Sequence, residues 1–538
     1  MEKDRGRNAM NCEKQISFIL QEKSKKAHSE LLASLAELEI PTGYMADIIT
    51  VQGGGSKAAA YNEGMHQSAA KYKIYVDEHI RVLDRELLTR IVRAFCADEA
   101  LGMLGIAGTV QLPTDGIYQN ARKRVGRILF GRNGQPMRWS DDDAMGIPYI
   151  AVQAVDGYFM ATQYDVPWRE DLFTGECFFD IAQAIELSRQ GYKVGVLPQQ
   201  NFSCAYLGNA FPQDEPSRQV FLDEYSKDIY PLVTIAIPTY NRPEYCRIAL
   251  ESALKQSYRN LEIFITDNST NDLTEKMVQP YLKADRRLQY VRQSGGSYDN
   301  WHCARQFVKR SHSEYVNWLM DDDVFHPEKI TKMMNWYLEC EGISLVTSYR
   351  QRIDAEGNPL PDDVSTQRLS EESGIIDGET VGKDMFCNVL NFIGEPTTVL
   401  IKKQYLREND FGWNDDLGKE HKRYAYPDIP TWARLLSQGN MVYIAEPLSY
   451  YRCHGGQEQQ NFDTAVGGPI CWAREIKYAY KNKVFLQNSR SYRIAIEAWI
   501  IHSMKILRVL EKENISTEES IFLWSILHQF VNEMADNA

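Results

Sequence analysis

The chain has 538 residues, 43% of them hydrophobic and 25% charged, with a formal net charge of −13. That length exceeds what one ordinary core organises, so two or three domains are expected, and the balance excludes a disordered chain. The acidic excess excludes a duplex-binding protein, which needs a basic face, but it allows a phosphate ligand held through a bridging cation.

In chain order, residues 1–14 read as a polar, charged tail with no signal-peptide pattern. Residues 15–210 alternate short apolar strands, such as Ile16 to Leu20, Ala46 to Val51 and Tyr72 to Val76, with helical stretches. Residues 211–230, carrying Pro212 and Pro216, read as a linker. A second alternating block spans 231–460, and 461–538 is a helical region with an apolar stripe at Ile494, Ile496, Trp499, Ile500 and Met504. Packing accounts for such a stripe better than function does, although dimerisation, a partner or contact with a membrane surface stays open. The expected fold class is α/β: two tandem Rossmann-like domains with mostly parallel sheets, plus the C-terminal helical segment. Ten cysteines are scattered singly from Cys12 to Cys471, which fits a reducing compartment. No stretch reaches the roughly 18 apolar residues of a membrane span. The chain reads as cytoplasmic, with a peripheral membrane association left open.

The two blocks echo each other. Phe179-Asp180-Ile181 precedes Gln190-Gly191 and a strand, Tyr192 to Leu197; Pro427-Asp428-Ile429 precedes Gln438-Gly439 and a strand, Met441 to Ala445. Asn62 and Asn300 open helices that lead to a Tyr-started strand and an acidic cluster. In parallel sheets ligands bind beyond the carboxyl ends of the strands, so chemistry is sought there.

In the second block, the strand Leu232 to Ile237 runs into Pro238-Thr239-Tyr240-Asn241-Arg242-Pro243. Pro243 suits a first helical turn and Asn241 can cap it. The helix that follows would face inward with Tyr245, Ile248, Ala249, Ser252 and Ala253. The loop offers backbone donors and a tyrosine ring for a nucleobase and ribose. Asp267, after the strand Leu261 to Thr266, either accepts a hydrogen bond from a base imide or serves as a turn residue.

Asp321-Asp322-Asp323 follows the strand Tyr315 to Met320. Adjacent carboxylates raise each other's proton affinity, a cost that a cation relieves. In an extended chain Asp321 and Asp323 would share one side, suiting Mg²⁺ or Mn²⁺. A solvated acidic turn is the alternative. Asp428 is either a base that takes an acceptor proton or an N-cap. His454 could reach a metal or phosphate, or neither.

In this order the residues resemble the family-2 glycosyltransferases with the GT-A fold, over about Pro231 to Gly456. The resemblance implies that Pro238, Thr239, Tyr240, Asn241 and Asp267 hold a nucleoside, usually uridine, and that Asp321 and Asp322 belong to the donor site. It further implies Asp323 and His454 for Mn²⁺ or Mg²⁺, Gly394, Glu395, Pro396 and Thr397 for the acceptor side, and Asp428 as catalytic base. The implied partners are a nucleotide-diphosphate sugar, with UDP-sugar favoured, and a glycan, lipid-linked or protein acceptor, in an inverting displacement.

The first block resembles another glycosyltransferase-like module of the same fold group through Tyr61-Asn62-Glu63-Gly64-Met65, Lys71 to Tyr75, Val155 to Thr162 and Trp168-Arg169-Glu170-Asp171. It departs from it at Asp77-Glu78-His79, at Glu176 to Asp180 and at Cys204-Ala205-Tyr206. Asp77, His79 and Asp180 mark its site, either that of a second transferase or that of a degenerate acceptor-binding or scaffolding domain. Two other readings of the chain are a nucleotidyltransferase, disfavoured because the loop after Ile237 lacks glycine, and a noncatalytic carbohydrate-binding or assembly protein.

Overall fold

A computed structural model describes residues 13–53, 55–131, 135–138, 146–208, 214–407, 428–455, 462–512 and 515–536. Most of the expected tail, Pro212 of the expected linker, Pro427 and Gly456 lie outside the described residues. The chain divides into two compact units, Met1–Tyr230 and Pro231–Ala538.

In the first unit a seven-stranded sheet is built on the parallel strands Met45–Gln52, Gln15–Glu22 and Tyr72–Val76, in that spatial order. Phe159–Thr162 follows antiparallel, then Leu101–Gly105 and Lys193–Val196, which are parallel to each other, and Ile150–Ala151 at the edge. Chain order reverses between Gln15–Glu22 and Tyr72–Val76, and a crevice opens at such a switch point. Asn62 lies within the helix Lys57–Gln67 rather than opening it, and clamps the backbone of Trp168 through both amide atoms.

The segment expected to be a linker is largely a helix, Glu215–Ile229. Asp214 caps it through the Ser217 amide and Pro216 sits in its first turn. Phe221, Leu222, Tyr225 and Ile229, at helical spacing, are buried. The prolines suggested a linker, whereas one of them marks a helix start.

The second unit holds a nine-stranded sheet. Leu288–Arg292, Leu261–Asp267, Val233–Thr239 and Tyr315–Trp318 run parallel and adjacent. Leu400–Lys402 reverses direction, and Ile343–Ile353 and Asn440–Arg452 pair in parallel beyond it. Val233–Thr239 is buried along its whole length, as expected for a central parallel strand covered on both faces. The strand expected at Met441 to Ala445 continues through Arg452 as one strand of 13 residues, Asn440–Arg452, with an irregularity near Pro447. The helix Pro243–Leu254 buries Cys246, Ala249, Leu250, Ser252 and Ala253. Its inward face is therefore turned from the expected one, with Cys246 and Leu250 in place of Tyr245 and Ile248.

Three C-terminal helices, Phe462–Lys481, Ser489–Lys512 and Glu518–Asp536, complete the core of this unit. Ile496, Trp499, Leu507 and Leu510 are buried at spacings of three, eight and three residues, whereas Ile494 of the expected stripe is exposed. Trp499 is fully buried, donates its indole N–H to the Pro469 carbonyl at 2.6 Å and meets Phe530 edge-on. No helix of the described residues is long and apolar enough to cross a membrane. Trp499→Ala should destabilise the second unit by about 3–5 kcal/mol, the usual cost of emptying an aromatic core site. Urea unfolding checks this; an unchanged midpoint would mean the helices are an appendage to the core.

Candidate active site

Chain order in the second sheet reverses between Val233–Thr239 and Tyr315–Trp318, and the loops after both strands meet at their carboxyl ends. Asp321 Oδ2 accepts from the Thr239 hydroxyl at 2.8 Å and from the Tyr240 amide at 3.3 Å. The three aspartates are 4%, 9% and 2% exposed, which removes the solvated acidic turn from consideration.

The triplet is not extended. The Asp323 amide donates to the Met320 carbonyl at 3.1 Å, closing a turn. The turn sends Asp321 and Asp322 together to one side and Asp323 to another, because alternation holds only for extended chain. Arg242 joins the first two: one guanidinium nitrogen lies 3.2 Å from Asp321 Oδ1 and 2.9 Å from Asp322 Oδ2. Asp322 Oδ2 also lies 3.0 Å from His454 Nε2, whose ring packs against Tyr245. Asp323 is tied inward, accepting from the Thr397 hydroxyl at 2.6 Å and the Arg452 amide at 3.0 Å. Arg452 further donates to the Asp322 carbonyl at 2.8 Å, so the end of the long strand fixes the turn.

Burial, and then the charge of Asp322, push the Asp321 carboxyl up to about 7. Asp323 is raised well above the carboxylate range by burial, with Asp322 and Glu395 adding to the effect. Arg242 pulls Asp321 the other way and offsets part of its rise.

Asn241 does not cap the following helix, whose N-cap is Arg242. Its backbone is left-handed, with φ of 53°, a conformation that asparagine tolerates, and its side chain accepts from the Thr270 amide at 3.0 Å. Its own amide donates to the Ser269 hydroxyl at 2.8 Å. Asp267 is fully buried, accepting from the Ser269 amide at 2.7 Å and the Tyr290 hydroxyl at 2.8 Å. The loops after two strands are thereby locked together around Ser269. Pro238 is buried in the strand, while Tyr240 is 51% exposed at the loop crest.

Asp428 begins the helix Asp428–Leu436 and accepts from the Asn391 side-chain amide at 2.8 Å. The same amide group donates to the Gly394 carbonyl at 3.2 Å. Burial first, then the negative charge of Glu395, raises the Asp428 carboxyl to about 6, although Arg350 pulls the other way. Glu395 pairs with Arg350 at 3.1 Å and accepts from the Thr398 hydroxyl at 3.0 Å. Gly394 has φ of +116°, and a Cβ there would meet Thr398 Oγ1 at 2.7 Å, so this turn demands glycine. Pro396 opens a short 3₁₀ turn, and Thr397 is fully buried. Of the residues expected on the acceptor side, then, Thr397 holds Asp323 instead of facing an opening.

Sequence reasoning gave no role to Arg242, Asn391 or Arg452. The signal for Arg242 was its place beside the loop that meets the acidic turn; for Asn391 there was none. Among the described residues no three His, Cys, Asp or Glu side chains converge as a metal site. The Asp322–His454 pair supplies one carboxylate and one imidazole, donors compatible with a divalent ion that takes its other ligands from phosphate and water.

In the first unit Asp77 directly follows the strand Tyr72–Val76 and forms an ion pair with Lys57. Its other oxygen accepts from the His79 amide and lies within 2.9 Å of His79 Nδ1. Burial opposes charge on both partners, but their pairing holds Asp77 well below and Lys57 well above their ordinary values. Glu78 accepts from the Lys23 and Ser24 amides at 3.0 and 2.9 Å, as Asp321 does from the Tyr240 amide. Asp180 lies in the first turn of Phe179–Arg189 and is raised by burial to about 6, the counterpart of Asp428. Lys57 was not anticipated, since a lone lysine reads as a solvated residue.

Residues 17–225 match the family model described as "Glycosyltransferase like family", and residues 234–397 that of "Glycosyl transferase family 2". An uncharacterized glycosyltransferase of Rickettsia prowazekii is 33% identical over 149 residues, 27% of this chain and 45% of that protein. Glycosyltransferase GlyG of Streptococcus pneumoniae is 24% identical over 263 residues, 47% of this chain and 79% of that one. The chain spans less than half the length of the first curated relatives it matches. S. aureus TarS 1-349, solved with UDP, is similar with a TM-score of 0.41 and 17% identity, over 57% of this chain and 82% of that one. Residues 17–225 and 234–397 thus form two family-2-type glycosyltransferase domains in tandem.

Proposed function

We propose that the second domain transfers a sugar from a nucleotide-diphosphate donor to an acceptor hydroxyl by a single inverting displacement. The observation that carries this reading is the buried turn at 321–322, tied to the Thr239–Tyr240 loop at the sheet's switch point. The nucleoside rests on the loop 239–241, with the exposed Tyr240 ring for its base. Asp267 acts as a positioning residue that holds Ser269, and through it Asn241. The leaning to uridine rests on the family resemblance alone.

Asp322 and His454 would hold the divalent ion, Mn²⁺ or Mg²⁺, in place of the Asp323 first expected, because both Asp323 oxygens are engaged inward. When bound, that ion neutralises charge on the leaving diphosphate. Asp321 orients the ribose or donor sugar, and Arg242 keeps the two carboxylates from repelling each other apart. Asp428 takes the proton of the incoming hydroxyl, and the loop 394–395 borders the acceptor. A carboxyl at about 6 is a stronger base than an ordinary aspartate and remains ionised at neutral pH.

A base titrating near 6 is lost as pH falls, so kcat/KM should drop about tenfold per pH unit below about 6 and level off above it. Asp428→Asn should lower kcat by roughly 10²–10⁴-fold with nucleotide affinity retained. Initial rates of nucleoside-diphosphate release from a panel of nucleotide sugars measure both; normal turnover by the Asn variant would remove Asp428 from the mechanism.

Asp322→Ala should abolish Mn²⁺-dependent binding of UDP in calorimetry without lowering the thermal midpoint. Asp323→Ala should lower the midpoint as well, since it strands the Thr397 hydroxyl and the Arg452 amide. Retention of Mn²⁺-dependent binding by Asp322→Ala would count against this ligand assignment.

A further inference from the structure

The first unit contains a cavity of about 390 Å³ whose lining includes Lys57, Asp77, Tyr118, Tyr158, Asp180 and Tyr206. Its size falls within the roughly 300–1,000 Å³ of small-molecule sites. It lies at the switch point of its own sheet, where Asp77 directly follows a strand.

The chemistry of the lining differs from that of the second domain. The position a divalent ion would need is filled by the chain itself: Lys57 pairs with one oxygen of Asp77 and His79 engages the other. Binding a cation there requires displacing an ammonium that is only 7% exposed. Carboxylates outnumber cations in the lining, and each lining cation is committed, Lys57 to Asp77 and Arg218 to Glu215. A diphosphate entering this cavity would meet negative charge with no bridging ion to offset it.

What the cavity does offer is a wall of flat rings and fixed hydrogen-bond acceptors. The Tyr158 and Tyr206 rings lie 4.4 Å apart, centroid to centroid, with the His79 ring 6.0 Å from that of Tyr206. Asp180 is held in place by the close passage of Gly157: a Cβ there would come within 2.9 Å of Asp180 Oδ2 and 2.8 Å of the Phe179 ring. Rings that cover the C–H face of a sugar, beside a carboxylate that accepts its hydroxyls, suit a neutral polyol.

We infer that the first domain binds an uncharged oligosaccharide in this cavity, with neither a divalent ion nor a nucleotide. This site rests on the first unit alone and goes beyond the transfer assigned to the second domain. The full-length chain is applied to an array of immobilised neutral oligosaccharides in EDTA, and the oligosaccharides retained are titrated by calorimetry. Binding is expected in EDTA and should be unchanged by Mn²⁺ and UDP. Asp180→Asn, which preserves shape and removes charge, should weaken it about tenfold or more. Cys177→Trp, which fills the cavity from a half-exposed position, should abolish it. If the Trp variant unfolds, the isosteric Asn variant decides alone. Absence of binding across the array, a requirement for Mn²⁺, or loss on Asp322→Ala in place of Asp180→Asn would each overturn the inference. Mn²⁺-dependent UDP binding, read in the same samples, reports on the second domain separately.

Discussion

Two carboxylates that should repel each other lie side by side in the second domain, and one guanidinium spans them. Arg242 touches Asp321 and Asp322 with the same nitrogen, and the rest of the site is arranged around that contact. Burial, with the charge of Asp322 beside it, raises the proton affinity of Asp321, and the Arg242 guanidinium limits this. The loop bearing Arg242 is in turn pinned by Asn241 to Ser269, and Ser269 by its amide to Asp267. Geometry at the carboxyl ends of three neighbouring strands is thus one connected set of polar contacts, and its electrostatics depends on a residue that also starts a helix.

The two domains solve the same problem differently. Each places an acidic residue at the end of the strand beyond the switch point, and each places an aspartate in the first turn of a later helix, raised by burial to about 6. In the second domain the acidic turn keeps Asp322 near an imidazole, at a separation that suits a shared ion. In the first, Lys57 has closed the equivalent position with a covalently tethered positive charge. A fixed ammonium cannot leave with a product or be exchanged, and this favours a domain that recognises over one that activates a diphosphate.

Much of this was legible in the sequence, for identifiable reasons. Central parallel strands are continuous apolar runs, so Val233–Thr239 and Leu261–Asp267 were found nearly to the residue. The paired aspartates 180 and 428 could be found because each stands ahead of a Gln-Gly and a strand. The turn at 321–323 was not legible: three identical residues give no hint of where a chain bends, and the Met320 carbonyl that closes the turn carries no sequence signature. Lys57 and Asn391 were missed for a related reason. Their partners lie 20 and 37 residues away, and no local pattern reports a distant partner. The helix Glu215–Ile229 was hidden because proline served as a punctuation mark, and only its position relative to Asp214 separates a break from a beginning.

The amide of Asn391 reaches in two directions, to the carboxylate of Asp428 and to the carbonyl of Gly394. A donor aimed at a carboxylate favours its ionised form and so weakens it as a base. Gly394 sits in a turn that bears Glu395 and Thr397, and its backbone occupies a region other residues avoid. A hydroxyl compound docking against that turn would compete for the same nitrogen. To the extent that it draws Asn391 aside, the carboxylate gains proton affinity at the moment a proton arrives to be taken. On the transfer proposed above, arrival of the second substrate would thereby tune the group that takes its proton, through a single side chain bonded to that group.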